Sequence, residues 1–300
     1  MCERCGNFMC ASCAQSGAAT RCPACRELSS FAFDVNASFD ALLGHAFATF
    51  QRDWLMLCLG ALVFYAALFA GSLVANVITT VINAVLNTRI DPTDPFGPAL
   101  ALNLVVSFGV SMVVNVPVQG VATVGFYRLI LDALAGRKAD LTRMFGVLPL
   151  APQAMVLQLV TMVVVMAPTV LVGAITGFLF AELKRNPESL APALLVALLA
   201  VFVVLLVSLF AVLPLLFFAL PELLISGCGP VEALRRAWTI GSGQRLRLFG
   251  YGVVMVLLLF AGFFALCLGI VPATAVAYLL LLGLFLALRR GTSLPAPANL

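Results

Sequence analysis

Long stretches without charged residues alternate with short charged segments along this chain. Five ranges contain no Asp, Glu, Lys or Arg: 54–88, 95–127, 144–181, 189–221 and 248–288. A membrane-crossing helix needs about 20 mainly apolar residues, so each range can span a bilayer at least once. The first four are predicted to be single long helices that tilt or kink, whereas Gly269 and Pro272 indicate a turn near the centre of the fifth. The pattern therefore predicts six transmembrane helices.

The composition supports this interpretation. Hydrophobic residues make up 63% of the chain, charged residues only 10%, and the mean hydropathy is +1.12. Soluble domains contain about 25% charged residues. The net charge of +4 is spread along the chain, which argues against a basic nucleic-acid-binding protein, and the hydrophobicity excludes a disordered chain. We therefore expect an all-α polytopic membrane protein whose first partner is the lipid bilayer.

The basic residues predict the orientation in the membrane. With six spans and a cytoplasmic amino terminus, only Arg89, Lys184 and Arg185 of the 17 Lys and Arg residues lie on the outer side. Five spans would also move Arg289 and Arg290 to the outer side. Because basic residues concentrate on the cytoplasmic side, both termini are predicted to be cytoplasmic.

Four segments follow from these patterns: a cysteine-rich module (1–28), a linker with an interfacial helix (29–53), a six-helix membrane domain (54–290) and a disordered tail (291–300). The interfacial helix is predicted because apolar residues form one helical stripe, which consists of Phe39, Leu42, Leu43, Ala46, Phe47 and Phe50. Such a helix is typical of the membrane surface. His45, the one histidine, lies beside the stripe, and we expect a structural role for it.

The cysteine-rich module contains three C-x-x-C pairs: Cys2/Cys5, Cys10/Cys13 and Cys22/Cys25. Two such pairs can complete a tetrahedral zinc site, so we expect zinc as a cofactor. Disulfides are the alternative in an oxidising compartment, and an iron–sulfur cluster is a second one. The spacing leaves open which pairs share an ion. A segment this short cannot bury a useful core, so bound metal must stabilise its fold.

The spacing of these pairs, with Cys22-Pro-Ala-Cys25 as the last, resembles a B-box-type zinc finger at the front of bacterial membrane proteins. That family cross-braces two ions with four ligand pairs, and the first pair has no counterpart here. The resemblance implies that Cys2, Cys5, Cys22 and Cys25 hold one ion, that Cys10 and Cys13 lack partners, and that the natural start lies upstream. It also implies protein–protein contact as the function of the module.

A second surface helix is predicted between Gly229 and Gly241, because Pro230 suits a first helical position. This helix and the residues that follow it carry four arginines that are candidates for contact with anionic lipid headgroups: Arg235, Arg236, Arg245 and Arg247. The alternative is that they only orient the protein in the membrane.

The stretch from Pro221 to Trp238, with its Pro-Glu helix end and G-P-x-E-A-L motif, resembles a family of uncharacterised bacterial inner-membrane proteins. That family is grouped with the membrane domain of glycerophosphoryl diester phosphodiesterases. The helix before the first span and the segment 136–145 agree with it. The resemblance implies a six-helix module in the bacterial inner (plasma) membrane. The phosphodiesterase barrel is absent from this sequence, so no catalysis can be inferred.

The predicted spans contain uncharged polar residues on shared helical faces: Asn76, Asn83 and Asn87, and then Asn115 and Gln119. Such amides join helices together, or they line a polar path. We therefore expect a non-catalytic scaffold or interaction protein, whose zinc finger binds a protein partner. The alternative is a transporter or lipid-handling protein that is not coupled to ions through intramembrane carboxylates. We expect no enzymatic activity, because no catalytic motif is present.

Overall fold

A computed structural model describes residues 35–87, 98–164, 187–265 and 269–292. Within these ranges the chain is helical and contains no β-strand. The predicted all-α class is thus confirmed for the described part of the chain. The cysteine-rich module and most of the predicted tail lie outside the described residues.

Helix α1 (Phe39–Asn87) joins the predicted interfacial helix to the first predicted span. Its start is capped by Ser38, whose Oγ accepts the backbone N–H of Ala41 at 3.3 Å. Asp53 interrupts the helix with non-helical angles (φ −119°, ψ 23°), which produces a kink. The kink lies at the predicted boundary between the interfacial helix and the membrane domain.

The apolar stripe before this kink is partly covered by the protein itself. Leu42 and Ala46 are buried, and the ring of Phe39 lies edge-on to that of Tyr251, with centroids 5.3 Å apart. Phe47 remains 43% exposed. The stripe therefore packs partly against the helix bundle, and Phe47 remains accessible from outside the protein.

Helix α2 (Pro98–Leu134) ends in a Schellman motif, a turn that satisfies the last carbonyl groups of a helix. Gly136 adopts φ 71°, which suits a residue without Cβ. The N–H of Arg137 then donates to the Asp132 carbonyl at 2.9 Å, and that of Gly136 to Ala133 at 3.0 Å. This turn brings Arg137 back to the end of α2.

The third charge-free range does not begin as one continuous helix. A short helix, α3 (Thr142–Phe145), is followed by a 3₁₀ turn (Leu148–Leu150) and by α4 (151–164). The rest of that range lies outside the described residues. Helix α5 (Pro187–Ser226) agrees with the single helix predicted for the fourth range.

Three helices complete the fold. Helix α6 (Pro230–Gly241) begins with proline at its first position and Gly229 at its N-cap, as predicted. A short 3₁₀ turn leads into α7 (Arg245–Phe264), and α8 (Ile270–Arg290) follows the predicted turn.

Helix α8 lies at the centre of the bundle. Nearly all of its residues from Thr274 to Arg289 are buried. Its Tyr278 contacts an aromatic cluster that joins α1 and α2, with ring centroids 6.2 Å from Phe64 and 5.5 Å from Phe126. A helix that is apolar on every side is expected at the core of such a bundle.

Close contacts establish the relative directions of neighbouring helices. Helices α1 and α2 are antiparallel, because Gly60 lies against Leu129 while Gly71 lies against Val118. The segment from α3 to α4 runs opposite to α2, because Gly120 lies against Ala154 of α4 whereas Gly125, further along α2, lies against Met144 of α3. In contrast, α5 and α8 are parallel, with Phe218 beside Phe285 and Glu222 beside Arg289.

The outer surface is suited to lipid. Five stretches are long and apolar enough to cross a membrane, namely Phe39–Val85, Val106–Leu134, Thr142–Val164, Pro230–Phe264 and Ile270–Arg290. A sixth apolar stretch, Phe210–Ser226, is shorter among the described residues. Large apolar side chains such as Phe69, Val113 and Phe264 are 66%, 75% and 80% exposed. Exposed apolar surface of this extent is incompatible with water and indicates a membrane protein.

Candidate functional site

Two clusters of buried charges lie at the end of the bundle where α2, α5 and α8 finish. The first, the Glu222 cluster, consists of Glu222, Arg289, Arg236 and Glu232. Arg289 donates through Nε to Glu222 Oε2 at 2.7 Å and through Nη2 to Oε1 at 3.3 Å. Arg236 lies 3.6 Å from Glu222 Oε1, and its Nε donates to Glu232 Oε1 at 2.9 Å. Two carboxylates thus face two guanidinium groups.

Local structure explains how these groups meet. Glu222 lies in the last turns of α5 and Arg289 in the last turn of α8, and the two helices run parallel. Gly227 (φ 61°) then reverses the chain, so that α6 returns Arg236 to the same carboxylate. Glu222 is fully buried and Arg289 is 7% exposed. A buried carboxylate is tolerated because both of its oxygens are paired.

The second cluster, the Asp132 cluster, consists of Asp132 with Arg128, Arg137 and Arg143. The carboxylate is 3.0 Å from Arg137 Nη1, 3.3 Å from Arg143 Nη1 and 3.7 Å from Arg128 Nε. Its side chain is only 4% exposed, whereas that of Arg143 is 46% exposed. Arg137 and Arg143 therefore share this one carboxylate, which leaves an excess of positive charge.

Asp140 organises the loop beside this cluster. Its Oδ1 accepts the backbone N–H of Thr142 at 2.9 Å, at the start of α3. This hydrogen bond, assisted by the Thr142 hydroxyl and the charge of Arg143, lowers the pKa of Asp140. The ionised carboxylate thus helps to place Arg143 at the first turn of α3.

Arg247 fixes the segment that leads into α1. Its guanidinium donates to the carbonyl oxygen of Val35 and, at 2.5 Å, to that of Ala37. Val35 also lies against Gly291, where any side chain would overlap it. The chain just before α1 is therefore held between the start of α7 and the end of α8.

The four predicted headgroup arginines have different surroundings. Arg236 and Arg247 bind groups of the protein, as described above. Arg245 stacks over the ring of Trp238, with its guanidinium carbon 4.7 Å from the ring centroid. Arg235 is exposed on α6. Contact with lipid headgroups stays a prediction, for which the environment of Arg235 is the most suitable.

The six predicted zinc ligands lie outside the described residues. Among the residues that the structure describes, no group of three or more His, Cys, Asp or Glu side chains could hold a metal ion. Cys58 and Cys228 are both free thiols, and His45 lies in α1 before the kink.

The predicted amide faces are only partly used for helix contacts. Asn115 Nδ2 donates to Ser111 Oγ of its own helix at 3.1 Å, and Asn115 faces Gly71 of α1. Asn76 is exposed. Asn83 Oδ1 is buried and has no hydrogen-bond partner among the described residues. A direct α1–α8 hydrogen bond joins Tyr65 and Thr274 instead, with the oxygens 2.7 Å apart.

Sequence reasoning missed both buried clusters. Glu222 borders a charge-free range and reads as part of a helix end, whereas Asp132 lies among the basic residues between two such ranges, so neither position indicates burial. For Asp132 a local signal was available, because Arg128 lies four residues before it on the same helix. The pairing between Glu222 and Arg289 had no such local signal, because 67 positions separate them.

Comparisons with known protein families, with curated proteins and with solved structures found no match to this chain.

Proposed function

We propose that this protein is a non-catalytic membrane adaptor, in which a zinc-bound head recruits a protein partner to a six-span module. In this proposal the module resides in the bacterial inner membrane with both termini in the cytoplasm. The head comprises the segment 1–28 with its six cysteines.

The observation that carries the proposal is the fixed attachment of the segment that follows the head. Arg247 binds the carbonyl groups of Val35 and Ala37, and Gly291 lies against Val35. A partner bound to the head would therefore be held close to the end of the bundle, because only a few residues separate the head from this attachment. A long free linker would not give this proximity.

The choice of zinc rests on the C-x-x-C spacing and on the reducing environment that the proposed orientation implies. The B-box resemblance implies Cys2, Cys5, Cys22 and Cys25 as one ligand set. Four thiolates would leave no open coordination position for a substrate, which suits a structural ion rather than a catalytic one.

Metal analysis of the full chain purified in detergent tests the cofactor. We expect about one zinc ion per chain. Cys22→Ser/Cys25→Ser should abolish binding, whereas the control Cys58→Ser/Cys228→Ser removes two thiols outside the head and should retain zinc. Equal zinc content in both double variants would reject the head as the zinc site, and iron with a visible absorption band would indicate an iron–sulfur cluster.

Proximity labelling in the native cell tests recruitment. A labelling enzyme fused to the carboxyl terminus should mark the same soluble proteins for the wild type and for Cys58→Ser/Cys228→Ser. Cys22→Ser/Cys25→Ser should lose some of these proteins while its abundance in the membrane stays unchanged. Identical labelling by all three proteins would contradict the adaptor function.

Reporter fusions test the proposed orientation separately. A cytoplasmic reporter should be active at the carboxyl terminus and after residue 34, and inactive within the range 88–97. Termini on opposite sides of the membrane would exclude an even number of spans.

A further inference from the structure

An apolar cavity of about 350 Å³ lies between α1, α2 and the α3–α4 region. Its lining includes Val63 and Ala67 of α1, Val121 and Gly125 of α2, and Phe145 of α3. The volume falls within the range of about 300–1,000 Å³ that is typical of ligand pockets. The lining side chains are aliphatic, aromatic or methionine, so the cavity suits a hydrocarbon group.

Gly125 shapes the cavity. A Cβ at this position would lie 2.9 Å from the carbonyl oxygen of Met144, so the glycine lets α3 approach α2 closely. Met144 in turn lines the cavity and is mostly buried. Helix α3 is therefore one wall of the cavity, and its position depends on this contact.

The Asp132 cluster begins where the cavity lining of α2 ends. Arg128 follows Val121 by seven positions and Gly125 by three, so it lies on the same helical face, one turn further along. Arg143 directly precedes Met144 in α3. Two of the helices that line the cavity, α2 and α3, thus each contribute an arginine to its polar end, and both arginines face Asp132.

The charges at this end are unbalanced. Asp132 is the one carboxylate within 4.0 Å of Arg137 and Arg143 among the described residues. In the adjoining exposed loop, Lys138 adds one positive charge and Asp140, which interacts with Arg143, adds one negative charge. Arg137 Nε is buried and has no hydrogen-bond acceptor among the described residues. An anion at this position would balance the charge and could supply acceptors.

We propose that this site binds one anionic phospholipid, with an acyl chain in the cavity and the phosphate beside Arg143 and the rest of the Asp132 cluster. The apolar cavity and the basic cluster are neighbours along both α2 and α3, just as the acyl chain and the phosphate are neighbours in such a lipid. Hydrocarbon alone would leave the positive charge of Arg137 and Arg143 only partly balanced, and a free anion would leave the cavity unfilled. The site is separate from the proposed zinc head, so either proposal can fail without the other.

Native mass spectrometry of the full chain in detergent tests the site by titration with phosphatidylglycerol. The headgroup variant is Arg143→Gln, and its matched control is Arg290→Gln, which removes the same charge from an exposed position in the last turn of α8. Arg143→Gln should weaken the affinity about fivefold, as expected for one basic group near an anionic headgroup. Arg290→Gln should change it less than twofold.

The cavity is tested by a substitution that fills it. Ala67→Phe places a ring in the cavity, whereas Ala66→Phe places the same ring on the exposed side of α1. We expect about a tenfold loss of phosphatidylglycerol affinity for Ala67→Phe and little change for Ala66→Phe. Circular dichroism and melting temperature confirm that the variants fold.

Three outcomes would overturn the proposal. Equal binding of phosphatidylcholine would show that the phosphatidylglycerol charge is not recognised. Complete competition by millimolar inorganic phosphate would indicate a free-anion site. Equal effects of each variant and its matched control would indicate unspecific lipid association at the protein surface.

Discussion

Glu222 offers the sharpest test of how the bundle is stabilised. Its carboxylate is fully buried and receives two hydrogen bonds from Arg289, at 2.7 and 3.3 Å. Removing one partner of a buried ion pair costs about 3–5 kcal/mol, because the remaining charge loses its counter-ion without regaining water. We therefore expect Glu222→Gln to reduce the free energy of unfolding by about 3 kcal/mol or more.

Glu232→Gln is the matched control, because it makes the same chemical change in the same cluster. Its side chain is 44% exposed, and its ion pair within the described part of the chain is with Arg236. Exposed pairs contribute about 0.2–1 kcal/mol, so this variant should stay within about 1 kcal/mol of the wild type. The contrast between the two variants isolates the effect of burial.

Unfolding in mixed micelles of dodecyl maltoside and increasing SDS measures both variants, with tryptophan fluorescence as the signal. A double variant, Glu222→Met/Arg289→Met, removes both charges and leaves apolar side chains. Its cost in unfolding free energy should be smaller than the summed costs of Glu222→Met and Arg289→Met by at least about 1 kcal/mol. Additive effects, or equal losses for Glu222→Gln and Glu232→Gln, would refute a strongly coupled buried pair.

Three further predictions concern helix contacts and pH. Gly262→Ala should destabilise the protein by about 1–3 kcal/mol, because the added Cβ would lie 2.6 Å from the Cβ of Ala273. Gly250→Ala on the same helix is the control, because its Cβ would meet nothing within 4 Å, and it should be neutral. Unfolding in mixed micelles compares the two variants. Tyr65→Phe removes the α1–α8 hydrogen bond and should cost about 0.6 kcal/mol, by the same measurement; a loss above 2 kcal/mol would contradict a simple hydrogen bond. Asp140 has a pKa below its ordinary value because the Thr142 N–H stabilises the charged form. The ionised carboxylate stabilises the fold above the unfolded-state pKa of about 4, and this effect is lost as the pH falls through the lower folded-state pKa. The difference in unfolding free energy between wild type and Asp140→Ala should therefore be larger at pH 7 than at pH 3.

The helical elements could largely be predicted from local patterns. Residues close together in the chain determine three features: the end of α5 before Pro230, the turn before Ile270 and the helix boundary at Asp53. Proline and glycine act through local backbone geometry, and a charge-free range reflects the thickness of a membrane. These effects do not require knowledge of neighbouring helices.

Contacts between distant helices could not be predicted in this way. Glu222 and Arg289 both border apolar ranges, and the pattern around each gives only a helix end. Their meeting depends on the parallel packing of α5 and α8, and the approach of Arg236 depends on the reversal at Gly227. The same limitation applies to the cavity, whose walls come from four separate segments.

The amino-acid sequence by itself determined the helical class, the membrane character and the cysteine spacing of the head, because each follows from local composition or periodicity. The tertiary structure alone decided which charges become buried, which arginines remain exposed and where an apolar cavity forms beside a basic cluster. The physical reason is that burial and charge pairing depend on distances between helices, and residues close in space here, such as Val35 and Gly291, are far apart in the chain.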